Sequence, residues 1–189
     1  CVNGNNNLCK NYDALGITID GGFAEYMKVP ANSIDQGNVI PINEKVDPTV
    51  AALLEPFACV LRGQNALNIK PGDIVLIIGA GPIGVMHTKL AKVRGAGLVI
   101  VSEPLANRAE QVRQMGADLV VNPLEENLEN IINEKTSSHG ADVIIVAEPV
   151  HAAQESALNL ASIGGRINFF GGLPKDRPTI NFNSNLVHY

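Results

Sequence analysis

The sequence predicts a doubly wound α/β fold with a parallel sheet, and three observations lead to that prediction. Short apolar runs recur along the chain and start at residues 74, 98, 119, 143 and 167. Between the runs lie segments with apolar residues three or four positions apart, and glycines follow most of these segments. Uninterrupted apolar runs are typical of strands buried on both faces of a parallel sheet, and the spacing leaves room for one helix between strands.

The individual elements follow from the same pattern. Strands are predicted at 74–78, 98–101, 119–121, 143–146 and 167–170. Each intervening helix is expected to turn one apolar stripe to the sheet and to end at a glycine, which tolerates a left-handed backbone. The stripes are Ile83, Met86, Leu90 and Val93; Leu105, Ala109, Val112 and Met115; and Leu124, Leu128, Ile131 and Ile132. The glycines assigned to helix ends are Gly95, Gly97, Gly116, Gly140, Gly164 and Gly165.

The first part of the chain has a different character. It is rich in Asn, Gly and Pro, with a strand-like piece at 23–29, and it predicts irregular β structure from another domain. Asp47 followed by Pro48 is typical of a helix start, with a capping residue before a proline at the first helical position. The predicted domains are therefore 1–47 and 48–189.

Composition argues against several classes of partner. Apolar residues make up 46% of the chain, which supports a substantial core. The net charge is −5 without a basic cluster, which argues against nucleic acid and anionic membranes. No apolar run approaches the roughly 20 residues that span a bilayer. Three cysteines do not suggest a disulfide scaffold, so we expect a reducing, cytoplasmic setting.

A glycine-rich turn, Gly79–Gly84, follows the first predicted strand and opens the first helix. Gly79 permits a tight turn, Gly81 lets the backbone approach a pyrophosphate, and Gly84 lets the helix pack closely on the strand. Backbone N–H groups at the helix start can then bind phosphates. The motif predicts a dinucleotide site; the alternatives are a purely structural turn, or a flavin or another nucleotide in the same cradle. The predicted contacts are Gly79, Gly81, Pro82, Ile83 and Gly84.

An acidic residue follows the second predicted strand. Glu103 lies 24 residues after Gly79, near the place where a carboxylate binds the hydroxyls of the adenine ribose. A carboxylate there accepts hydrogen bonds from a diol and repels a 2′-phosphate, which predicts NAD(H) over NADP(H). Arg108 is a nearby cation that could tolerate a phosphate. The alternative interpretation is that Glu103 is a surface acid.

Three stretches in order, GGFAEYMKVP, AALLEPFACVLRG and KPGDIVLIIGAGPIG, resemble the medium-chain zinc-dependent alcohol dehydrogenases. The resemblance is nearest to the branch of sorbitol (polyol) and threonine dehydrogenases. It implies a Rossmann domain preceded by part of a GroES-like catalytic domain, inside a longer enzyme that forms a dimer or tetramer. The reaction it implies is hydride transfer between a secondary alcohol or polyol and NAD, with zinc. It also implies that Ala147, Phe170 and Gly171 flank the nicotinamide half of the cofactor.

The resemblance further implies zinc ligands. The family has a structural zinc lobe with cysteines spaced C-x2-C-x2-C-x7-C, and Cys1 and Cys9 match the last two. Glu55 in LLEPFA matches the last ligand of the catalytic zinc. The alternatives are two unrelated cysteines on a flexible loop, and a Glu55 that caps or ends a helix before Pro56. Cys59 is predicted to be a small buried side chain.

Other functions stay open beside the polyol dehydrogenase. They are a threonine 3-dehydrogenase-like enzyme, a zinc-independent NAD(P)H reductase of the same superfamily, and a non-enzymatic NAD-binding redox sensor. The four histidines have no ligand spacing, and His87 is expected to pack rather than bind a ligand. The sequence has no G-x-S-x-G elbow and no P-loop lysine, so hydrolase and phosphoryl-transfer functions lack support.

Overall fold

Five parallel strands form one sheet in the computed structural model, which describes residues 6–188. Their order across the sheet is β3-β2-β1-β4-β5, and every neighbouring pair is parallel. This confirms the predicted fold class. The strands are β1 Ile74–Ile78, β2 Leu98–Ser102, β3 Leu119–Val121, β4 Ala141–Val146 and β5 Ala161–Phe169.

Helices cover both faces of the sheet. The main ones are α3 Leu54–Leu67, α4 Pro82–Val93, α5 Ala106–Gln114, α6 Leu128–Thr136 and α7 His151–Leu160. Shorter helices are α1 Ala31–Asp35, α2 Pro48–Ala51 and α8 Asn185–His188, with a 3₁₀ turn at Asn6–Leu8. Among the described residues, none of these helices is both long and apolar enough to cross a membrane.

The sheet separates two hydrophobic clusters. Alternate residues of a strand point to opposite faces, so Val75 and Ile77 join one cluster while Leu76 and Ile78 join the other. The first cluster includes residues of α3, α4 and α5, and the second includes residues of α6 and α7. Strands buried on both sides explain why the sequence shows uninterrupted apolar runs.

Several details of the helix prediction are wrong. Val93, predicted to face the sheet, is 79% exposed at the end of α4. Leu124 is 81% exposed and precedes α6, which begins at Leu128 because the Asn127 side chain caps it by accepting a hydrogen bond from Asn130 N. Leu105 and Met115 flank α5 instead of lying inside it.

The fifth strand is also longer than predicted, and Gly164 and Gly165 belong to it instead of ending a helix. Its pairing with β4 is irregular, because Ala141 faces Ala161 while Val143 already faces Arg166. The residues between Ala161 and Arg166 therefore bulge out of the ladder, and Gly164 adopts the positive φ of 74° that such a departure requires.

The chain divides into two compact units, Cys1–Pro48 and Thr49–Tyr189. The strand-like piece predicted at 23–29 is wrong, because those residues belong to no strand in the described part of the first unit. That part has an isolated bridge between Leu15 and Ile19, and the aromatic side chains of Phe23 and Tyr26 are exposed. The assignment of residues 1–47 to a catalytic domain stays a prediction.

Arg166 joins three elements of the second unit. Its guanidinium donates hydrogen bonds to the carbonyls of Leu67 and Asn68 at the end of α3, at 2.8 and 2.6 Å. It also forms an ion pair of 2.6 Å with Asp73, directly before β1. The planar guanidinium, with its five N–H donors, suits such a set of acceptors.

His87 and Gln64 form a buried polar pair between α4 and α3. Gln64 Nε2 donates to the His87 carbonyl at 2.8 Å and lies 3.3 Å from His87 Nδ1. The imidazole is 0% exposed and meets the Phe170 ring edge to face at 4.7 Å. Its full burial confirms that this histidine packs, and burial lowers the pKa of His87 to about 4 from the usual 6.5.

The protein should lose stability between pH 6.5 and pH 4 because of His87. In that window the unfolded chain binds a proton that the buried imidazole rejects, so the unfolded state gains stability as the pH falls, by about 3 kcal/mol for the whole shift. Urea unfolding at pH 7 and pH 4.5 measures the effect. His87→Gln should reduce the loss, whereas the exposed His139→Gln should not; equal losses in both variants would contradict the assignment.

Candidate functional site

The loops at the carboxyl edge of the sheet meet where the strand order reverses. Ala147 N donates to the Ile78 carbonyl at 2.8 Å, and Gly171 N donates to the Val146 carbonyl at 2.9 Å. β1 lies between β2 and β4, whose crossover connections run to opposite sides. In open α/β sheets, ligands bind in the crevice at this reversal point, so the geometry selects this edge as the candidate site.

The three glycines of the turn serve three different geometric needs. Gly79 has a φ of +98°, a backbone conformation that residues with a side chain rarely adopt. A Cβ on Gly84 would lie 1.9 Å from the Gly79 carbonyl oxygen, so α4 packs on β1 more closely than any side chain allows. A Cβ on Gly81 would meet no heavy atom within 4 Å. Gly81 therefore leaves open space, which a phosphate group could occupy.

The turn leads directly into helix α4. Gly81 is the N-cap with an extended backbone, and Pro82 occupies the first helical position. Pro82 is exposed and Ile83 is half-buried, so both lie beside the open space at Gly81. The first N–H groups of a helix lack partners within the helix and carry its positive dipole end, which suits an anion. The residues of the turn therefore fit a pyrophosphate.

Glu103 connects the end of β2 to the turn. Its carboxylate accepts a hydrogen bond from Ala80 N at 2.8 Å and a second from Leu105 N at 2.9 Å. The residue is only 3% exposed, so the interpretation as a surface acid is wrong. Each carboxylate oxygen retains capacity for a further hydrogen bond. A ribose contact for Glu103 stays a prediction.

A pocket of about 270 Å³ opens beside Glu103, between α5 and the end of β3. Three carboxylates and one guanidinium line it, so its charge is mainly negative. Arg108 is exposed and is not among the lining residues, whereas Arg113, which the sequence analysis missed, is. Arg113 lies four residues after the buried Ala109, a helical spacing that could have indicated it. The lining residues are Glu103, Pro104, Ala106, Ala109, Arg113, Val120, Asn122, Glu125 and Glu126.

The sequence analysis also missed Glu148, which follows β4. The side chain is half-buried, and its Cβ and Oε2 would lie 3.2 and 3.5 Å from a Cβ placed on Gly79. Burial, and then the negative charge of Glu103, raise the pKa of Glu148. An acid two residues after a predicted strand was a usable signal, because Glu103 has the same position after the second predicted strand.

The residues predicted to flank the nicotinamide all lie at the carboxyl edge of the sheet, but they differ in which of their atoms are placed there. Ala147 and Gly171 contribute backbone, and a Cβ on Gly171 would come within 2.6 Å of the Glu148 backbone. Phe170 instead packs its ring against His87 and close to Gly63. The structure therefore gives the Phe170 ring a core position, while its cofactor contact stays a prediction.

Glu55 lies in the first turn of α3 and is exposed. The helix starts at Leu54 and continues past Pro56, so the alternative that Glu55 ends a helix is wrong. Cys59 Sγ donates to Glu55 Oε1 at 3.3 Å, one turn further along. Partial burial, this hydrogen bond and the charge of Glu55 raise the pKa of Cys59. The thiol is exposed, which contradicts the prediction of a buried cysteine.

For the other two predicted zinc ligands, Cys1 and Cys9, the structure gives little information about a metal site. Cys9 is half-buried, and Cys1 lies outside the described residues. Within residues 6–188, no group of three or more His, Cys, Asp or Glu side chains is placed to hold a metal ion. Among the described residues, Glu55 and Cys9 do not form a complete zinc site, so we derive no chemical step through zinc.

Comparison with protein families decides the classification. Residues 82–189 match the family described as zinc-binding dehydrogenase, which covers more than half of the chain. The chain belongs to the zinc-binding dehydrogenase family. The matched region begins at Pro82, inside the glycine-rich turn, and includes Glu103 and Glu148. The family resemblance inferred from sequence is thus confirmed.

Two curated relatives in this family are L-threonine 3-dehydrogenases. The protein from Caldanaerobacter subterraneus is 34% identical over 192 residues, and that from Pyrococcus horikoshii is 35% identical over 187. In each case the match covers 99% of this chain and 52% of the relative. The chain therefore spans about half the length of the curated relatives it matches.

Solved zinc-binding dehydrogenases have the same architecture. One from Sinorhizobium meliloti, bound to NADP, is 32% identical with a TM-score of 0.85 and covers 96% of this chain and 52% of its own. An Escherichia coli CFT073 short chain alcohol dehydrogenase, complexed with NADH, is 30% identical with a TM-score of 0.84 and covers 96% and 51%. Proteins similar to this one thus occur with either dinucleotide.

Two alanine substitutions should separate the structural glycine from the binding glycine. Gly84→Ala forces a methyl group against the Gly79 carbonyl and should destabilise the protein by about 2 kcal/mol. Gly81→Ala enters open space at a φ of −66°, so the free energy of unfolding should stay within about 0.5 kcal/mol. It should nevertheless weaken NADH binding at least about tenfold, because the methyl occupies the space for the phosphates. Urea unfolding and NADH fluorescence titration measure both effects.

Unchanged NADH affinity in Gly81→Ala would contradict the assignment of the pyrophosphate to this turn. Gly37→Ala is unsuitable as a control because Gly37 has a positive φ. Gly22 is a better one, since its φ is not positive and a Cβ there would make an ordinary contact of 3.6 Å with Met27 Sδ. Gly22→Ala should change neither stability nor NADH affinity.

Proposed function

We propose that this protein is an NAD-dependent, zinc-assisted dehydrogenase of a secondary alcohol, and that L-threonine is its substrate. The observation that carries the proposal is the open turn at Gly81, held in place by the buried carboxylate of Glu103. It combines a phosphate cradle with an acid at the end of the second strand, as a dinucleotide requires. The curated relatives named L-threonine 3-dehydrogenase support the substrate.

The substrate proposal differs from the first choice of the sequence analysis. Motifs alone put sorbitol-like polyols first and a threonine dehydrogenase second. The relatives named L-threonine 3-dehydrogenase favour the second. Both substrates present a secondary hydroxyl carbon as hydride donor, so the cofactor side of the proposal is the same for either.

We propose that the adenosine part of the cofactor lies in the pocket beside Glu103. The charges around this pocket favour NAD over NADP. Glu103, Glu125 and Glu126 line it, and a 2′-phosphate would add two further negative charges beside them. Arg113 is the guanidinium in the lining, and it also lies 3.6 Å from the Glu110 carboxylate. Arg108 is exposed. The net repulsion supports NAD as the cofactor, although similar proteins occur with either dinucleotide.

The chain's own residues would bind and orient the cofactor. The turn 79–84 would hold the pyrophosphate, Glu103 the adenine ribose, and the backbone at Ala147 and Gly171 the nicotinamide half. A zinc ion held beside Glu55 would supply a positive charge for the substrate oxygen. We propose Glu55 as a contact of that zinc, and Cys1 and Cys9 as ligands of a structural zinc. These three assignments rest on the family resemblance.

Two other functions make different predictions. A zinc-independent reductase would turn over without zinc, and a redox sensor would bind NADH without oxidising any alcohol. Zinc content and threonine oxidation by the purified complete protein separate all three. A dimer or tetramer, and a cytoplasmic location, remain parts of the proposal.

Glu103→Gln should reduce the discrimination between cofactors. The amide removes the negative charge, so the ratio of the NADPH to the NADH dissociation constant should fall at least about tenfold, with weaker NADH binding. In the variant the side-chain NH₂ group faces one of the two backbone N–H donors, Ala80 N or Leu105 N, so one hydrogen bond is lost. The free energy of unfolding should therefore fall by about 1–3 kcal/mol. Isothermal titration with both cofactors and urea unfolding measure these effects. Glu129→Gln, exposed in the first turn of α6, is the matched control, and an unchanged ratio in Glu103→Gln would overturn the ribose assignment.

Glu55→Ala should reduce threonine oxidation by about a hundredfold or more without changing NADH affinity, since the residue is proposed to act on the metal and not on the dinucleotide. Initial rates with NAD and L-threonine, together with NADH titration, measure this in the complete protein. Glu129→Ala, on the surface of α6, removes the same charge elsewhere. Normal turnover by Glu55→Ala would refute the zinc contact, and faster oxidation of sorbitol than threonine by the wild type would restore the polyol.

A further inference from the structure

Glu148 is a carboxyl group for which the proposed function has no use. It follows β4 at the reversal point of the sheet, and its side chain packs beside Gly79, the first glycine of the phosphate-binding turn. The Glu148 backbone is fixed from the other side by Gly171, where even a Cβ would come within 2.6 Å of it. Tight packing on both sides keeps this carboxyl next to the place where the pyrophosphate would lie.

The carboxyl has no neutralising partner in the described part of the protein. Within residues 6–188 no hydrogen bond or ion pair engages it, although it is half-buried. The nearest charge with an electrostatic effect on it is another carboxylate, that of Glu103. Two acids thus face the same turn, from the ends of β2 and β4.

Within residues 6–188 no cationic side chain forms an ion pair with Glu148, and the charged groups of the segment that contacts the start of α7 are Lys175, Asp176 and Arg177. The turn at Gly79 and the segment Phe170–Gly171 contain no titratable group. Helix α7 begins with His151, whose ring Nε2 lies 2.8 Å from the Arg177 carbonyl and is engaged there. A bound pyrophosphate would add two negative charges to this cluster of acids, and repulsion between like charges favours the protonated form of a carboxyl group.

We propose that Glu148 takes up a proton when the dinucleotide binds, so that this residue couples cofactor affinity to pH. The inference rests on the proposed dinucleotide site. A protonated carboxyl is a donor and can hydrogen bond to a phosphate or ribose oxygen, whereas the ionised form is only an acceptor and repels phosphate. Burial already favours the neutral form, because it raises the pKa of Glu148 before any ligand is present.

The test uses ADP-ribose, which carries the pyrophosphate and both riboses but no nicotinamide ring. Its dissociation constant should be measured by isothermal titration from pH 5.5 to 8.5, in buffers of different ionisation enthalpy. For the wild type we expect affinity to fall at least fivefold across the range, with net proton uptake on binding. Glu148→Gln is neutral at every pH, so its affinity should stay within about twofold and its binding should take up less proton. Glu129→Gln is the matched control and should follow the wild type.

The outcomes separate this inference from the proposed function. Tight ADP-ribose binding by the wild type without pH dependence, or a Glu148→Gln variant that keeps the full pH dependence, would overturn the role of Glu148 and leave the dinucleotide site standing. Failure of the wild type to bind ADP-ribose or NADH at any pH would overturn the dinucleotide site, and the inference with it. The proton-uptake measurement on the wild type alone tests the proposal even where the variant does not fold.

Discussion

The close contact between α4 and β1 is the constraint on which the rest of the site depends. Because Gly84 has no side chain, its backbone can lie against the Gly79 carbonyl, and the helix can start almost on top of the strand. That approach directs the helix start to the carboxyl edge and leaves the space at Gly81 open. It also brings His87, three residues after Gly84, into the core against Gln64, so one helix serves both the site and the packing.

The electrostatics of the site reverse the usual expectation for a phosphate-binding surface. The described residues at this edge contribute carboxylates, and the positive potential comes from backbone N–H groups and the dipole of α4. Hydrogen bonds from Ala80 N and Leu105 N partly offset the negative charge of Glu103 and hold its carboxylate in one orientation. Among residues 6–188 Glu148 has no such donors, and its charge is the one that the proposed proton uptake would neutralise.

Much of the fold was predictable from the sequence because strands buried on both faces leave an unmistakable apolar signal. The turn at Gly79 was predictable for a similar reason, since its residue types are required by local backbone geometry. The start of β5 was not, because the bulge before Arg166 depends on pairing with β4. The exposure of Val93 and Leu124 was missed because an apolar residue at helical spacing need not lie where a helix meets the sheet.

The site residues also divide into those with a local sequence signal and those whose role depends on contacts between distant parts of the chain. Glu103 was found through its distance from the turn, but its hydrogen bonds to two backbone groups require the folded loop. Glu148 had a local signal in its position after a predicted strand, but its packing against Gly79 requires the folded chain. Arg113 was missed because it lines a pocket with Glu126 only in the folded protein. Cys59 was expected to be buried on the basis of residue type, yet its helix face is exposed.

The bulge in β5 raises a question of register, since a strand that leaves its ladder can rejoin it one residue early or late. Gly171 prevents a shift in one direction, because Phe170 in its place would collide with the Glu148 backbone. A shift in the other direction would substitute Gly172, which has no Cβ and offers no such obstacle. Arg166, bonded to the end of α3 and to Asp73, is what opposes that second shift. The alignment of the cofactor edge is thus maintained from Arg166, where the regular pairing of β5 with β4 resumes after the bulge.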